Sequence, residues 1–140
     1  MRKNEIYAYF SLNGFACEPD EITQMIGLTP TDTWKAGDLR GRSIRRHETS
    51  GWRLRSRLDE PLWIERHVQD VIAQLTPKWP DVVHLCLQYQ AMINCVCSIY
   101  DASPVIHFGR ETIKRVAELN AWIDVDYYDF TGLEEAREGA

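Results

Sequence analysis

No apolar run in the 140-residue chain approaches the roughly 20 residues that a membrane-crossing helix needs. The opening Met1-Arg-Lys-Asn-Glu5 has no apolar core and leads straight into a strand-like segment, which reads against a secretory leader. Cysteine is scarce. Cys17, Cys86, Cys95 and Cys97 sit in apolar surroundings without a Cys-x-x-Cys pair, so the expectation is reduced, buried thiols in a cytoplasmic protein. Catalytic signatures are missing as well. Ser50-Gly51 lacks the Gly-x-Ser-x-Gly elbow, and Gly37, Gly41 and Gly51 are too scattered for a phosphate loop. His47, His67, His84 and His107 form no paired motif. These absences argue against nucleophilic catalysis and nucleotide hydrolysis, so no catalytic residue and no cofactor is assigned.

One metal reading needs weighing. Cys95-Val-Cys97 with Cys86 and His84 offers thiolates and imidazole, the ligands zinc prefers. The apolar pattern, however, sets Cys86 and His84 on the opposite strand face from Cys95 and Cys97. The cysteines therefore read as small core residues, and no metal site is assigned.

What the chain does have is an ordinary globular composition, 44% apolar and 26% charged, enough for one domain with a real core. Residues 1–130 read as that domain, and 131–140 as a polar, frayed tail. The net charge of −5 is unevenly distributed. Trp34 to Arg57 holds eight basic and two acidic residues, whereas the remainder holds eight basic and nineteen acidic. A basic ribbon on an acidic body can steer an anionic partner, although the body would repel a nucleic-acid backbone.

Periodicity supplies the elements. Ile6 to Leu12 alternates as a strand, with Ile6, Ala8, Phe10 and Leu12 on one face and Tyr7, Tyr9 and Ser11 on the other. Pro19 to Gly27 reads as a short helix with Ile22, Met25 and Ile26 inward and Gly27 as its stop. Ser43–His47 and Trp52–Arg57 read as a hairpin across Glu48-Thr-Ser-Gly51. Pairing Arg46 with Arg53 would align Arg42, Arg46, Arg53, Arg55 and Arg57, and a one-residue slip would bring Arg45 and His47 instead. Asp59–Leu75 is the strongest helix, with Asp59 as N-cap and Leu62, Ile64, Val68, Val71, Ile72 and Leu75 inward. Val82–Tyr89 and Ile93–Tyr100 read as a second hairpin, Arg110–Asn120 as a helix with Ile113, Val116 and Ala117 inward, and Trp122–Phe130 as a final strand. A strand, proline-led loop and helix occur at Ile6–Gly27 and again at Ile93–Asn120. The expected fold is α+β: a two-layer sandwich, a mostly antiparallel sheet with about three helices on one face, with ferredoxin-like elements.

Two surfaces emerge as binding candidates. The ribbon contributes Trp34, Lys35, Arg42, Arg46, Trp52, Arg53, Arg55 and Arg57, which would grip phosphate or carboxylates with the indoles as stacking platforms. Arginines on an edge ribbon also deter aggregation without any ligand. The uncovered sheet face would carry Tyr7, Tyr9, His84, Asp124, Asp126 and Tyr128, aromatics beside carboxylates. Asp124 and Asp126 share a strand face and suit an acid/base pair or a hard cation, a pattern that alternation in an exposed strand also produces.

Several pieces in order resemble a known family: Tyr7-Ala-Tyr-Phe-Ser-Leu12, Pro19-Asp-Glu-Ile-Thr23, Gly27-Leu-Thr-Pro30, Thr33-Trp-Lys-Ala-Gly-Asp38, Ser50-Gly-Trp52 and Ile123-Asp-Val-Asp126. The chain is similar over nearly its whole length to the small bacterial proteins grouped as domain of unknown function family 4279. Trp-x-x-Gly-Asp and Ser-Gly-Trp are the more specific pieces. The family's usual glycine-alanine pair after the last helix is Asn120-Ala121 here, a mild departure because asparagine tolerates the left-handed cap. The resemblance implies one compact cytoplasmic domain, carries over no catalytic residue, and suggests that Trp34, Gly37, Asp38, Gly51 and Trp52 form one structural unit. The function expected is a non-enzymatic module that binds a protein partner, of immunity or regulatory type, or a second copy of the chain. The alternative is an enzyme or small-ligand binder acting on an anionic substrate.

Overall fold

A long strand, apolar at every second position over its first half, occupies the middle of the sheet. In the computed structural model, which describes residues 2–61 and 63–133, that strand is β1 (Glu5–Phe15). Its inward side chains Ile6, Ala8, Phe10 and Leu12 are buried, as the alternation requires. Around it lie α1 (Pro19–Ile26), β2 (Asp32–Trp34), β3 (Ser50–Arg55), α2 (Ile64–Leu75), α3 (Trp79–Gln88), β4 (Gln90–Ile99), α4 (Arg110–Glu118) and β5 (Trp122–Asp129). The five-stranded sheet runs β2-β3-β1-β4-β5. Its pairings are antiparallel except β4–β5, which are parallel because α4 carries the chain back between them. Helices cover one face, so the fold is an α+β sandwich. No helix among the described residues is long and apolar enough to cross a membrane.

Local chemistry explains most boundaries. α1 starts with Pro19 in its first turn, Glu21 accepts the Glu18 N–H at 2.8 Å, and Gly27 takes the left-handed cap at φ 75°. Asn120 takes the same conformation at φ 53°, as its position after α4 requires. The two strand-loop-helix units correspond to β1–α1 and β4–α4.

Several expectations are corrected. Val82–Tyr89 is not a strand but most of α3. Pro80 and Asp81 suit a helix start rather than a stop, and Val82, Leu85 and Cys86 are buried at helical spacing. Leu87, expected inward, is 69% exposed. β4 pairs with β1 instead, setting Cys95 opposite Ala8 and Ile93 opposite Phe10. Second, Ser43–His47 contributes only one isolated bridge, Leu39 to Arg46, and β3 takes β2 as its hairpin partner. Third, α2 begins at Ile64 rather than at Asp59, with Trp63 at its N-cap; Leu62 lies outside the described residues. Fourth, α4 is rotated from its expected phase: Thr112, Val116 and Leu119 are buried, while Ile113 is 53% exposed. Met25 of α1 is likewise exposed. Of the expected tail, residues 134–140 lie outside the described residues.

The inner layer contains one buried polar node. Ser56 Oγ accepts the Ala8 N–H at 3.2 Å and lies 2.9 Å from His67 Nδ1. His67 Nε2 lies 3.1 Å from the Glu60 carbonyl and must donate to it, so Nδ1 accepts from Ser56. Burial pushes the His67 pKa down despite the pull of the Glu60 carbonyl and Asp70. The node ties β1, the end of β3 and α2 together with its hydrogen bonds satisfied.

Candidate functional site

The uncovered face is built by strand parity. Opposite Phe10 and Leu12 on the inner face, β1 turns Tyr7, Tyr9, Ser11 and Asn13 outward. The register sets Arg55 beside Tyr9 and Arg53 beside Ser11 on β3, and Asn94 beside Tyr9 on β4. Asp124 then pairs with Asn94, and Asp126 with Val96, on β5. Arginines flank one side of this face and aspartates the other, with tyrosines between.

Side-chain contacts make the face continuous. The Arg55 guanidinium lies 3.8 Å over the Tyr7 ring, and Arg53 lies 4.1 Å over Tyr9 and 5.0 Å from the Trp34 ring. Tyr7 and Tyr9 stack with centroids 6.4 Å apart. Asn94, itself buried, donates both amide hydrogens, to Tyr9 Oη at 2.8 Å and to Asp126 Oδ2 at 3.0 Å. Burial pushes the Tyr9 phenol pKa up, Arg53 opposes, and Asp126 adds to the rise. A polar chain therefore runs Trp34–Arg53–Tyr9–Asn94–Asp126 across all five strands. Tyr128 is half exposed at the far end, against Phe130 at 6.3 Å.

Residues 35–49, between β2 and β3, form an exposed finger. Gly37 N–H donates to the His47 carbonyl, His47 N–H to Asp38, and Arg40 N–H to Arg45, at 2.8–2.9 Å. Asp38 accepts the Lys35 N–H at 2.9 Å, and Ser50 Oγ accepts the Ala36 N–H at 3.0 Å. Trp34 fastens the base. Its Nε1 donates to the Thr49 carbonyl at 3.0 Å, and its ring lies against Gly51 so closely that a Cβ there would overlap the indole. Trp-x-x-Gly-Asp and Ser-Gly-Trp are thus one unit: ring, turn and the glycine beneath the ring. The finger's tip leaves Ile44 95% exposed.

The structure separates the ribbon candidates. Arg53 and Arg55 lie on the open face, joining two surfaces that the sequence treats separately. Trp52 is removed from any binding surface: it is 0% exposed, edge-on to Phe10, with Nε1 donating to Thr23 Oγ1 at 3.0 Å. Arg57 turns to the helix layer and pairs with Asp70 at 2.8 Å. Burial would raise the Asp70 pKa, but the hydrogen bonds and charge of Arg57 outweigh it and hold the carboxyl low. Lys35 pairs with Glu18 at 2.5 Å. Arg42 sits in the exposed turn of the finger, and Arg46 donates from Nη1 to the Gly37 carbonyl at 2.7 Å. The five arginines expected on one ribbon face are therefore not aligned, because β3 pairs with β2 and not with 43–47: Arg46 and Arg53 meet beside the finger, Arg55 lies over Tyr7, Arg57 turns to the helix layer and Arg42 sits in the finger's turn. His84 leaves the open face altogether, since it is on α3 and bonded to Gln88 at 2.8 Å.

Tyr7, Tyr9, Asp124, Asp126 and Tyr128 do fall on the open face. Asn94 and Ile44 carried no signal in isolation; the parity of β4 against β1 would place Asn94, whereas the finger has no period to read. Cys86 and Cys95 thiols are pushed up to about 12 by burial, which makes them poor nucleophiles and ligands. Among the described residues no group of three metal-ligating side chains assembles.

No curated protein matches the chain, and neither does any solved structure. A family model described as a domain of unknown function, DUF4279, matches residues 4–130, and the chain belongs to that family.

Proposed function

We infer that this protein is a non-enzymatic, cytoplasmic binding module that recognises a protein partner through its open sheet face. The observation that carries the reading is the layer of guanidinium groups stacked on tyrosines, Arg55 on Tyr7 and Arg53 on Tyr9, across a face that no helix of the described residues covers. Aromatic and arginine side chains held rigid in this way lose little entropy on docking, which is why they dominate protein interfaces. The basic flank at β3 and acidic flank at β5 favour a partner of complementary, bipolar charge. Ile44 offers an apolar contact beside the basic flank.

The enzymatic alternative has less support. The arginine-rich recess beside the finger does not include Asp124, Asp126 or His84. Acid/base groups and anion clamps therefore do not converge.

The test is affinity capture from the native cell lysate with immobilised wild type and an Arg55→Glu/Tyr128→Ala variant. A partner held by wild type and lost by the variant supports the reading. Identical captured proteins in both would sink it, and a small anion that stabilises wild type without any protein capture would favour the alternative.

A further inference from the structure

Between the finger and β3 lies an open recess of about 630 Å³, lined by Trp34, Arg40, Arg45, Arg46, His47 and Arg53 among others. Among the described residues Glu48 is the one carboxylate that lines it. Four guanidinium groups around one recess repel each other unless a counter-charge is present. Among the described residues none of the four has an ion-pair partner.

Two of them are pre-positioned. Arg53 is held between the Tyr9 and Trp34 rings, and its Nε is buried without a hydrogen-bond partner. A buried, charged donor left unpaired is costly and uncommon in native proteins. Arg46 is steered by its bond to the Gly37 carbonyl, leaving the rest of its donor fork free. The Trp34 ring, stacked on His47 at 4.7 Å, makes one wall rigid.

We propose that this recess is a carboxylate-binding subsite that takes an acidic side chain of the protein partner. This rests on the reading of the open face as a partner-binding surface and names what the partner presents. Arginine forks match carboxylates bidentately. The cations come from both the finger and β3 around one open recess of about 630 Å³, which suits a peptide segment better than a single inorganic anion. Ile44 and Leu39 are exposed on the same finger and would meet apolar side chains of such a segment. A long nucleic acid is disfavoured because nineteen of the chain's carboxylates lie outside the Trp34–Arg57 segment.

The test is calorimetric titration of the full chain at low salt with the peptide acetyl-Glu-Glu-Leu-Glu-Glu-amide, its glutamine counterpart, and inorganic phosphate. The expected result is binding of the acidic peptide alone. Arg46→Ala and Arg53→Lys should each weaken it about tenfold or more, and Lys114→Ala, on the helix layer, should leave it unchanged. Arg46→Ala alters only the exposed finger, so it remains informative if Arg53→Lys folds poorly by circular dichroism. Phosphate binding more tightly than the peptide, with loss in the same variants, would overturn the carboxylate assignment. No peptide binding, or binding indifferent to both arginines, would overturn the subsite. Partner capture that fails with Arg55→Glu/Tyr128→Ala yet survives Arg46→Ala would remove the subsite while leaving the open-face reading intact.

Discussion

The two faces of β1 share one backbone and differ in almost everything else. Inward, Ile6, Ala8, Phe10 and Leu12 are buried under the helices, where apolar area removed from water and close packing hold the fold. Outward, Tyr7 and Tyr9 carry guanidinium groups on their rings and Tyr9 accepts a hydrogen bond from Asn94, with no helix above them among the described residues. The inner face has a large cost for any change of volume. The outer face gains little stability from those contacts that remain close to water, such as Arg55 on Tyr7, so these exposed groups can vary without unfolding the chain, whereas Asn94 and Ser11 are buried there. Stability and recognition are thereby assigned to alternate residues of the same strand.

That division can be broken by substitution, and the largest effect is expected inward. Phe10→Ala should destabilise by about 3–5 kcal/mol in denaturant unfolding, because it empties a site where Trp52 and the α2 residues already pack closely. A loss below about 1 kcal/mol would mean that the inner face is not the main source of stability.

Gly51→Ala is the next largest, at about 1–3 kcal/mol, because its Cβ would overlap the Trp34 indole. The same change in a Trp34→Ala background should cost much less. Equal costs in both backgrounds would show that the ring does not press on Gly51, and the finger's anchor would need another explanation.

The buried node sharpens the comparison through pH. His67 has a folded pKa below its ordinary value near 6.5, so the folded state favours the neutral ring. Its contribution should be complete above about pH 6.5 and fall as pH drops from there toward the lower folded value, since the unfolded chain takes up the proton first. His67→Gln should flatten that part of the stability profile. An unchanged slope in the variant would place the acid sensitivity elsewhere.

The smallest effect is expected outward. Arg55→Ala should change stability by less than about 1 kcal/mol, the range of an exposed cation–π contact.

The sequence makes the inner face readable because a central strand with one buried side must alternate, and apolar residues recur at every second position from Ile6 to Leu12, although Ser11 on the outer face is buried as well. The caps at Gly27 and Asn120 were equally legible, since a left-handed residue after a helix has few chemical solutions. Val82–Tyr89 was not, because Val83, Leu85 and Leu87 satisfy a period of two as well as Val82, Leu85 and Cys86 satisfy a helix. Short apolar runs carry both patterns, and only packing chooses between them. The basic surface failed for a different reason. Which strand Arg53 faces depends on pairing with Asp32, twenty-one residues earlier, past a finger whose turns have no hydrophobic period. The face residues Tyr7, Tyr9, Asp124, Asp126 and Tyr128 were placed by alternation alone; that Arg53 and Arg55 join them required the register.

The most direct measurement pairs thermal unfolding with partner capture on one variant, Arg55→Glu/Tyr128→Ala, beside Phe10→Ala. The expected result is a melting temperature within a few degrees of wild type for the face variant, at about 1 kcal/mol or less, together with loss of the captured protein. A melting temperature lowered as far as in Phe10→Ala, with the partner still held, would contradict the division of labour between the two faces.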